Sequence, residues 1–117
     1  MSFSIAKLVD NVGESVTIVD VSRTLDDRGY ESTTSTTNYS SKAIVQEMTA
    51  GDEEVEEGIL QAGDIIAFFD ENADNVSYLK NDNKLTGIAS LGSSRVYLIK
   101  NVIHNSGHYE VWASRES

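Results

Sequence analysis

Apolar and polar residues alternate with a period of two over much of the chain after residue 13. The stretch from Glu14 to Thr24 (ESVTIVDVSRT) is rich in β-branched residues, which predicts a long strand. Its apolar positions change phase between Ile18 and Val19, so we expect either a β-bulge at this point or a strand covered on both faces. Before residue 13 the apolar spacing is helical, which predicts a short N-terminal helix with an apolar face of Ile5, Leu8, Val9 and Val12.

A run of Ser and Thr from Glu31 to Tyr39 is compatible with either a linker or a strand. It follows the turn Asp26–Gly29, in which Gly29 can adopt a positive φ, and it continues directly into the alternating stretch KAIVQEM. Thr favours strands, whereas flexible linkers are rich in Gly and Ser. We therefore interpret the run as a polar, solvent-facing strand that forms the second arm of a hairpin.

The second half of the chain contains further short strand signals. Asp64 to Phe69 (DIIAFF) is a continuous apolar run, which predicts a strand buried on both faces. Weaker strands are predicted at Val76–Leu79 and Leu85–Ala89, and a closing hairpin at Arg95–Ile103 and His108–Ala113. The pattern does not decide whether Thr49–Gly63 is a short charged helix or a long loop.

These elements predict one mainly β domain over residues 1–117. We expect a small antiparallel β-barrel, SH3-like or sandwich-like, with about seven strands, a short N-terminal helix and a long acidic middle loop. The sequence has no cysteine, so it predicts neither a disulfide framework nor a thiolate metal site. Its first residues lack the pattern of a signal peptide and no apolar run has the length of a membrane span, so we expect a cytosolic product.

The net charge of -10 is unevenly distributed along the sequence. Ten acidic residues and no basic residue lie between Lys42 and Lys80, and the rest of the chain is neutral. We interpret this as charge confined to one loop of an otherwise neutral domain. Such a segment argues against a protein that grips nucleic acid through its phosphates, since that binding depends on Lys and Arg. The simplest alternative is a charged face that only keeps the protein soluble.

One polar stretch resembles the beginning of a calcium-binding loop. Asp70, Asn72 and Asp74 occupy alternate positions, but Asn75 stands where the loop needs Gly and Asn81 where it needs a bidentate Glu. The sequence therefore favours a polar turn over a calcium site.

Catalytic and other metal-binding patterns are weak. His104 and His108 flank a hairpin turn with Glu110 nearby, an arrangement that is more often a surface feature than a metal site. No serine lies in a nucleophile elbow, and the glutamates of the middle segment lack the apolar surroundings that would raise a carboxyl pKa. We expect no enzyme activity, catalytic residue, metal or cofactor.

Taken in order, four stretches resemble the head closure, or stopper, proteins at the head–tail junction of tailed viruses (bacteriophage-like). Their order and spacing carry the resemblance rather than any single motif, and Val76–Ala89 departs from the family pattern. The stretches are SVTIVDVSRTLDDRGYESTTSTT, KAIVQEM, EEVEEGILQAGDIIAFFD and SRVYLIKNVIHNSGHYEVWASRE.

The resemblance implies a virion protein located in the neck of the virus particle, where head and tail join, and present in the host cytoplasm before assembly. It would form a homo-oligomeric ring between a portal-side adaptor protein and the tail or tail-terminator protein. The ring would close the portal channel after genome packaging and provide the tail docking surface. Viral DNA would pass through it without sequence-specific binding, and no membrane would be involved.

In that family the long middle loop, here Thr49–Gly63, points towards the channel. The residues implied at the channel are Asp52, Glu53, Glu54, Glu56 and Glu57, and those implied as loop hinges are Gly51, Gly58 and Gly63. Carboxylates repeated around a ring would repel DNA phosphates, so retention of the genome would have to come from steric closure.

Two other functions fit the same pattern. A tail-completion or tail-terminator protein is also small and rich in β-structure. A standalone SH3-like module that binds a peptide or sugar would present an exposed aromatic cluster, for which Tyr97, Tyr109 and Trp112 are the candidates. For the ring, we expect the polar strand Glu31–Tyr39 to pair with a partner by strand addition, and the free protein to be a monomer or a loose oligomer.

Overall fold

A computed structural model of the chain describes residues 13–25, 27–29, 31–49, 61–105 and 107–116. Within these residues six antiparallel strands close into a barrel in the order β1-β2-β3-β6-β5-β4. This confirms a mainly β fold built on an antiparallel barrel, with six strands in the described residues where the sequence predicts about seven. The predicted N-terminal helix lies outside the described residues. The strands are β1 Glu14–Leu25, β2 Glu31–Glu47, β3 Ile65–Asp70, β4 Lys84–Thr86, β5 Tyr97–Asn105 and β6 His108–Arg115.

The first hairpin forms as the sequence predicts. β1 and β2 pair in one unbroken register from Glu14↔Ala43 to Thr24↔Thr33, and Gly29 in the connecting turn has a φ of +84°. The Ser- and Thr-rich run is therefore a strand and is continuous with the apolar stretch that follows it. The prediction of a bulge between Ile18 and Val19 is wrong, because the first register shift between β1 and β2 follows Thr24. Ile18 lies in the core and Val19 is half-buried, so this part of β1 is covered on both faces.

The prediction of a strand at Val76–Leu79 is wrong. Val76–Tyr78 is a single 3-10 turn, which begins after Asn75 in the left-handed region at a φ of 66°. The apolar residues here close over the barrel core, since Leu79 is buried and both Val76 and Tyr78 pack against the core cluster. The predicted strand at Leu85–Ala89 is confirmed in part, because β4 covers only Lys84–Thr86.

The core fills the barrel interior with the inward-facing residues of all six strands. On β3, Ile65, Ala67 and Phe69 are fully buried inside, while Ile66 is buried on the outer face in a small cluster with Met48. β3 is thus buried on both faces, as its continuous apolar run predicts. The main core cluster consists of Val16, Ile18, Ala43, Ile65, Ala67, Phe69, Leu79, Leu85, Ile88, Tyr97, Ile99, Val111 and Ala113.

Antiparallel pairing gives the barrel two chemically different ends. One end, which we call the segment end, carries the last residue of β2, Glu47, and the first residue of β3, Ile65. The other end, the ribbon end, carries the β1–β2 turn and the β5–β6 turn. No helix in the described residues has the length and apolar character needed to cross a membrane.

Candidate functional site

We call residues 50–60 the acidic stretch. The residues that flank it on either side are held together at the segment end of the barrel. Met48 N–H donates to the carbonyl of Asp64 at 2.7 Å, and Gly63 N–H donates to the carbonyl of Met48 at 3.0 Å. We call these three residues the neck. Met48 is also 98% buried, so the first flank is fixed by packing as well as by hydrogen bonds.

The buried carboxylate of Asp64 ties the neck to the barrel wall. Its Oδ2 accepts from Gln61 N–H at 2.9 Å, and its Oδ1 accepts from Arg115 N–H at 3.0 Å. A carboxylate is acceptor-only, so both of its oxygens match the backbone donors that they face. The second flank is therefore anchored to β6 through Asp64, and the first flank is joined to it by the bond from Met48 to Asp64. The sequence places Asp64 among the acidic residues of the middle segment, and nothing there distinguishes it as a structural anchor.

Most of the residues predicted for the channel loop lie outside the described part of the chain. They are Asp52, Glu53, Glu54, Glu56 and Glu57, together with the predicted hinges Gly51 and Gly58. The remaining predicted hinge, Gly63, has a φ of +96° in the turn that leads into Asp64. A side chain at this φ would be strained, which explains the glycine. Its role as a hinge stays a prediction.

The acidic residues of the middle segment that the structure describes do not lie on one surface. At the segment end, Glu47 Oε2 lies 3.5 Å from Arg95 Nη1. Glu71 belongs to the ribbon end, where its Oε2 lies 3.0 Å from His104 Nε2. A single charged loop on a neutral domain is therefore too simple a description, since the acidic residues are divided between the two ends.

The outer part of the first hairpin projects from the barrel as a two-stranded ribbon. β4 pairs with β1 only over Thr17–Val19, and β3 pairs with β2 only over Ile44–Glu47. Beyond these pairs β1 and β2 continue together over residues 20–25 and 31–37. We call this part the ribbon; no other strand of the described residues pairs with it.

Asn83 fixes the base of the ribbon on the β1 side. Its Oδ1 accepts from Val21 N–H at 3.0 Å, and its Nδ2 donates to Asp20 Oδ1 at 2.9 Å and to the carbonyl of Tyr78 at 2.8 Å. The side chain is almost fully buried, with both amide donors satisfied. The Asn83 side chain thus provides β1 with one further hydrogen-bond partner, at Val21, beyond the last β1 residue that pairs with β4, Val19. Lys80 Nζ lies 3.6 Å from the same carboxylate oxygen of Asp20.

A second group of side chains holds the base on the β2 side. Asn75 Nδ2 donates to the carbonyl of Ser40 at 2.7 Å. Next to it, the rings of Tyr39 and Tyr78 stack with centroids 3.8 Å apart and an interplanar angle of 9°. The hydrogen bond with Tyr78 raises the pKa of the Tyr39 hydroxyl, and burial and the nearby Asp20 charge act in the same direction.

A surface cleft of about 340 Å³ opens where β2 separates from β3. It is lined by β2 and by the turn that follows β3. Ser41 is buried on this wall, and its Oγ has no hydrogen-bond partner in the described residues. The cleft is open to solvent, and its shape alone indicates no reaction. The lining residues are Ser40, Ser41, Lys42, Asn72, Ala73 and Asp74.

The calcium-like stretch forms a polar turn, as the sequence favours. Asp70 Oδ1 accepts from Asn72 N–H at 3.0 Å, and Ala73 N–H donates to the carbonyl of Asp70 at 2.9 Å. These bonds close the turn around Asp70. Across the described part of the chain, no three His, Cys, Asp or Glu side chains are grouped closely enough to hold a metal ion.

The two histidines do not converge on one point. His104 pairs with Tyr109 across the hairpin and stacks on its ring at 4.3 Å, while His108 is next to Tyr109 in β6 and therefore points to the other face. The carboxylate of Glu110 accepts from the Trp112 indole at 2.8 Å. His108 is close to the ring of Phe68, so His104, His108 and Glu110 each interact with a different aromatic neighbour.

The three aromatic residues considered for an SH3-like site do not share a surface. Tyr97 is fully buried in the core, whereas Tyr109 and Trp112 are half-buried. Trp112 packs with the small outer cluster of Met48 and Ile66.

No protein-family model matches the sequence, and no curated protein matches it either.

Proposed function

We propose that this chain is a structural protein of a viral head–tail connector, a stopper that forms a ring and closes the portal channel after genome packaging. The order of its sequence elements supports this function, as does the difference between the two ends of the barrel. A connector subunit meets different neighbours along the axis of the particle. Here the ribbon leaves one end of the barrel, and the flanks of the acidic stretch meet at the other.

The observation that carries the proposal is the neck. Because Met48 is hydrogen-bonded to both Gly63 and Asp64, the acidic stretch starts and finishes at one fixed point of each subunit. Five of the six residues from 52 to 57 are Asp or Glu. In a ring these carboxylates would repeat around the channel and repel the phosphates of the DNA. The wall of the channel would then guide DNA without binding it.

Retention of the genome would depend on steric closure, since such a wall offers the phosphates no counter-charge. In this proposal Gly51, Gly58 and Gly63 would act as hinges that let the stretch move. The portal-side adaptor and the tail or its terminator are the neighbours on either side of the ring, and the open edges of the ribbon offer places for strand addition.

Charge reversal in the acidic stretch tests the proposal. Virus particles in which Glu53, Glu54, Glu56 and Glu57 are all replaced by Lys should release DNA more slowly, because the channel would then attract phosphates. Replacement of the same four residues by Gln should give an intermediate rate. Asp74→Lys, at the exposed turn of the ribbon end, is the control and should leave release unchanged. Normal release by the Lys variant would contradict the proposal.

A tail-terminator function is the alternative with the same architecture. Electron microscopy of particles assembled without this protein separates the two functions. Heads that fill and then lose their DNA indicate a stopper, whereas tails of irregular length indicate a terminator. A peptide- or sugar-binding module gains no support, because Tyr97 is in the core and is not part of an exposed aromatic cluster.

A further inference from the structure

The ribbon has two edges, and they differ in how far they are covered. On the β1 edge, the Asn83 side chain occupies the N–H of Val21, which is the first outward-facing donor beyond β4. On the β2 edge, Asn75 occupies only the carbonyl of Ser40. Residues 34–38 of β2 lie beyond this bond, and no strand of the described residues pairs with them on the side away from β1.

The register shows which backbone groups of β2 point outward. Alternate residues of an antiparallel strand direct their N–H and C=O to opposite sides. Val21 N–H points away from β2, and Val21 is paired with Thr36, so the backbone groups of Thr36 also point away from β1. The outward carbonyl of Ser40 has the same parity. Thr34, Thr36 and Asn38 therefore present their backbone donors and acceptors along this edge.

Residues 33–41 of this edge lack the devices that usually prevent strands from pairing between molecules, since the register shift between β1 and β2 lies before them, at Ser32. Residues 32–41 (STTSTTNYSS) contain no charged residue and no proline, although the chain as a whole has a net charge of -10. Natural sheets protect their edges with lysine, proline or bulges. Like charge opposes contact between two copies over most of this protein, and the uncharged strand is the place where two copies can approach without that repulsion.

We propose that, before it assembles, the protein forms a two-fold dimer through this edge, with β2 of one copy antiparallel to β2 of a second copy. The outward-facing residues are symmetric about Thr36, so Thr36 would lie opposite Thr36 of the second copy, and Thr34 opposite Asn38. An antiparallel edge is complementary to itself, as a two-fold interface requires. The dimer keeps the edge covered in free solution and has to open when a neighbouring subunit takes its place.

The contact is small, so the dimer is weak. It joins about five residues of each strand and buries far less than the roughly 1,200 Å² of a stable interface. We therefore expect a monomer at low concentration and a dimer as the concentration approaches about 1 mM, with no larger species. The dimer does not depend on the proposed ring function, so dimerisation of the purified chain would stand even if particles showed no stopper function.

Sedimentation equilibrium of the purified chain and two Thr36 variants tests the dimer. Thr36→Pro removes an outward N–H and leaves the bonds between β1 and β2 intact, since Thr36 N–H does not face β1. It should weaken dimerisation at least tenfold. Thr36→Val keeps the N–H and the branched shape, so it should dimerise like the wild type. A wild type that stays monomeric up to about 1 mM, or a Pro variant that dimerises normally, would overturn the proposal.

A cysteine variant tests the register without altering a hydrogen bond. The chain has no cysteine, so Thr36→Cys introduces a single thiol. In the proposed dimer the two Cα atoms of residue 36 lie about 5.5 Å apart, within disulfide range. Mild oxidation should give a covalent dimer in high yield, whereas Ser35→Cys, opposite Thr37 of the second copy, should give little. Equal yields from the two variants would show that the pairing is not centred on Thr36.

Discussion

The side chain of Asn83 takes the place of a strand beside Val21, with its Oδ1 accepting the Val21 N–H at 3.0 Å. β4 begins at Lys84, which pairs with Val19, so the next outward-facing donor of β1, Val21 N–H, has no strand beside it. A buried asparagine supplies the acceptor and uses its own two donors on Asp20 and Tyr78. The ribbon is therefore joined to the barrel by a side-chain network as well as by the continuity of β1 and β2.

Replacement of Asn83 should loosen this junction. Asn83→Ala removes three hydrogen bonds and leaves Val21 N–H without its acceptor, so we expect the free energy of unfolding to fall by about 2–4 kcal/mol. Asn83→Asp keeps an acceptor for Val21 but places a second carboxylate beside Asp20, so it should destabilise as well. Urea unfolding measures both changes. Asn81→Ala, at an exposed position two residues earlier, is the control and should change stability by less than about 0.5 kcal/mol.

The carboxylate of Asp64 should control how firmly the acidic stretch is held. Asp64→Asn leaves one oxygen but turns an NH₂ group towards a backbone donor, so we expect a loss of about 1–3 kcal/mol. Cleavage between residues 53 and 57 by a glutamate-specific protease should also become faster, because the neck opens more often. Asp74→Asn at the exposed turn is the control. Unchanged cleavage in Asp64→Asn would show that the neck does not depend on this carboxylate.

The stacked tyrosines should make stability depend on pH above 10. The hydrogen bond with Tyr78 raises the pKa of Tyr39 in the folded state, so the folded protein holds this proton more tightly than the unfolded chain does. The resulting stability is fully present below the unfolded pKa of about 10 and is lost as pH rises through the folded pKa. In denaturant titrations at pH 8 to 11, Tyr39→Phe should lose less stability over this range than the wild type. Parallel curves would contradict the pKa shift.

The hydroxyl of Tyr97 is fully buried and has no hydrogen-bond partner in the described residues. Burial of an unpaired hydroxyl has a desolvation cost that phenylalanine avoids at almost the same volume. We therefore expect Tyr97→Phe to raise the free energy of unfolding by about 1 kcal/mol, measured by thermal or urea unfolding. Tyr97→Leu is the contrasting variant and should destabilise, because it leaves a cavity. A destabilised Phe variant would indicate that the hydroxyl has a partner after all.

The sequence predicted those parts of the fold whose pattern is local. β1 and β2 were recognisable from their β-branched residues and from Gly29, and β3 from an apolar run that is buried on both faces. The 3-10 turn at Val76–Tyr78 was not, since apolar residues that cover a core from a turn look the same in sequence as residues of a short strand. Only the barrel around them distinguishes the two.

The structural sites were harder to predict than the strands. Nothing in KNDNK distinguishes the buried Asn83 from the exposed Asn81, because the distinction depends on where β4 ends relative to Val21. The acidic run misled for a related reason. β3 runs from one end of the barrel to the other between Glu47 and Glu71, so these two acidic residues lie at opposite ends of the barrel.

The hydrogen bond between Gly63 and Met48 has a consequence for engineering the chain. It sets the gap that any insert must bridge to the width of a tight turn, whatever the insert contains. The entropic cost of a longer loop grows only slowly with its length. Residues 50–60 could thus be exchanged for a short turn or a foreign peptide while the barrel keeps its register. The barrel would then serve as a scaffold for grafted peptides.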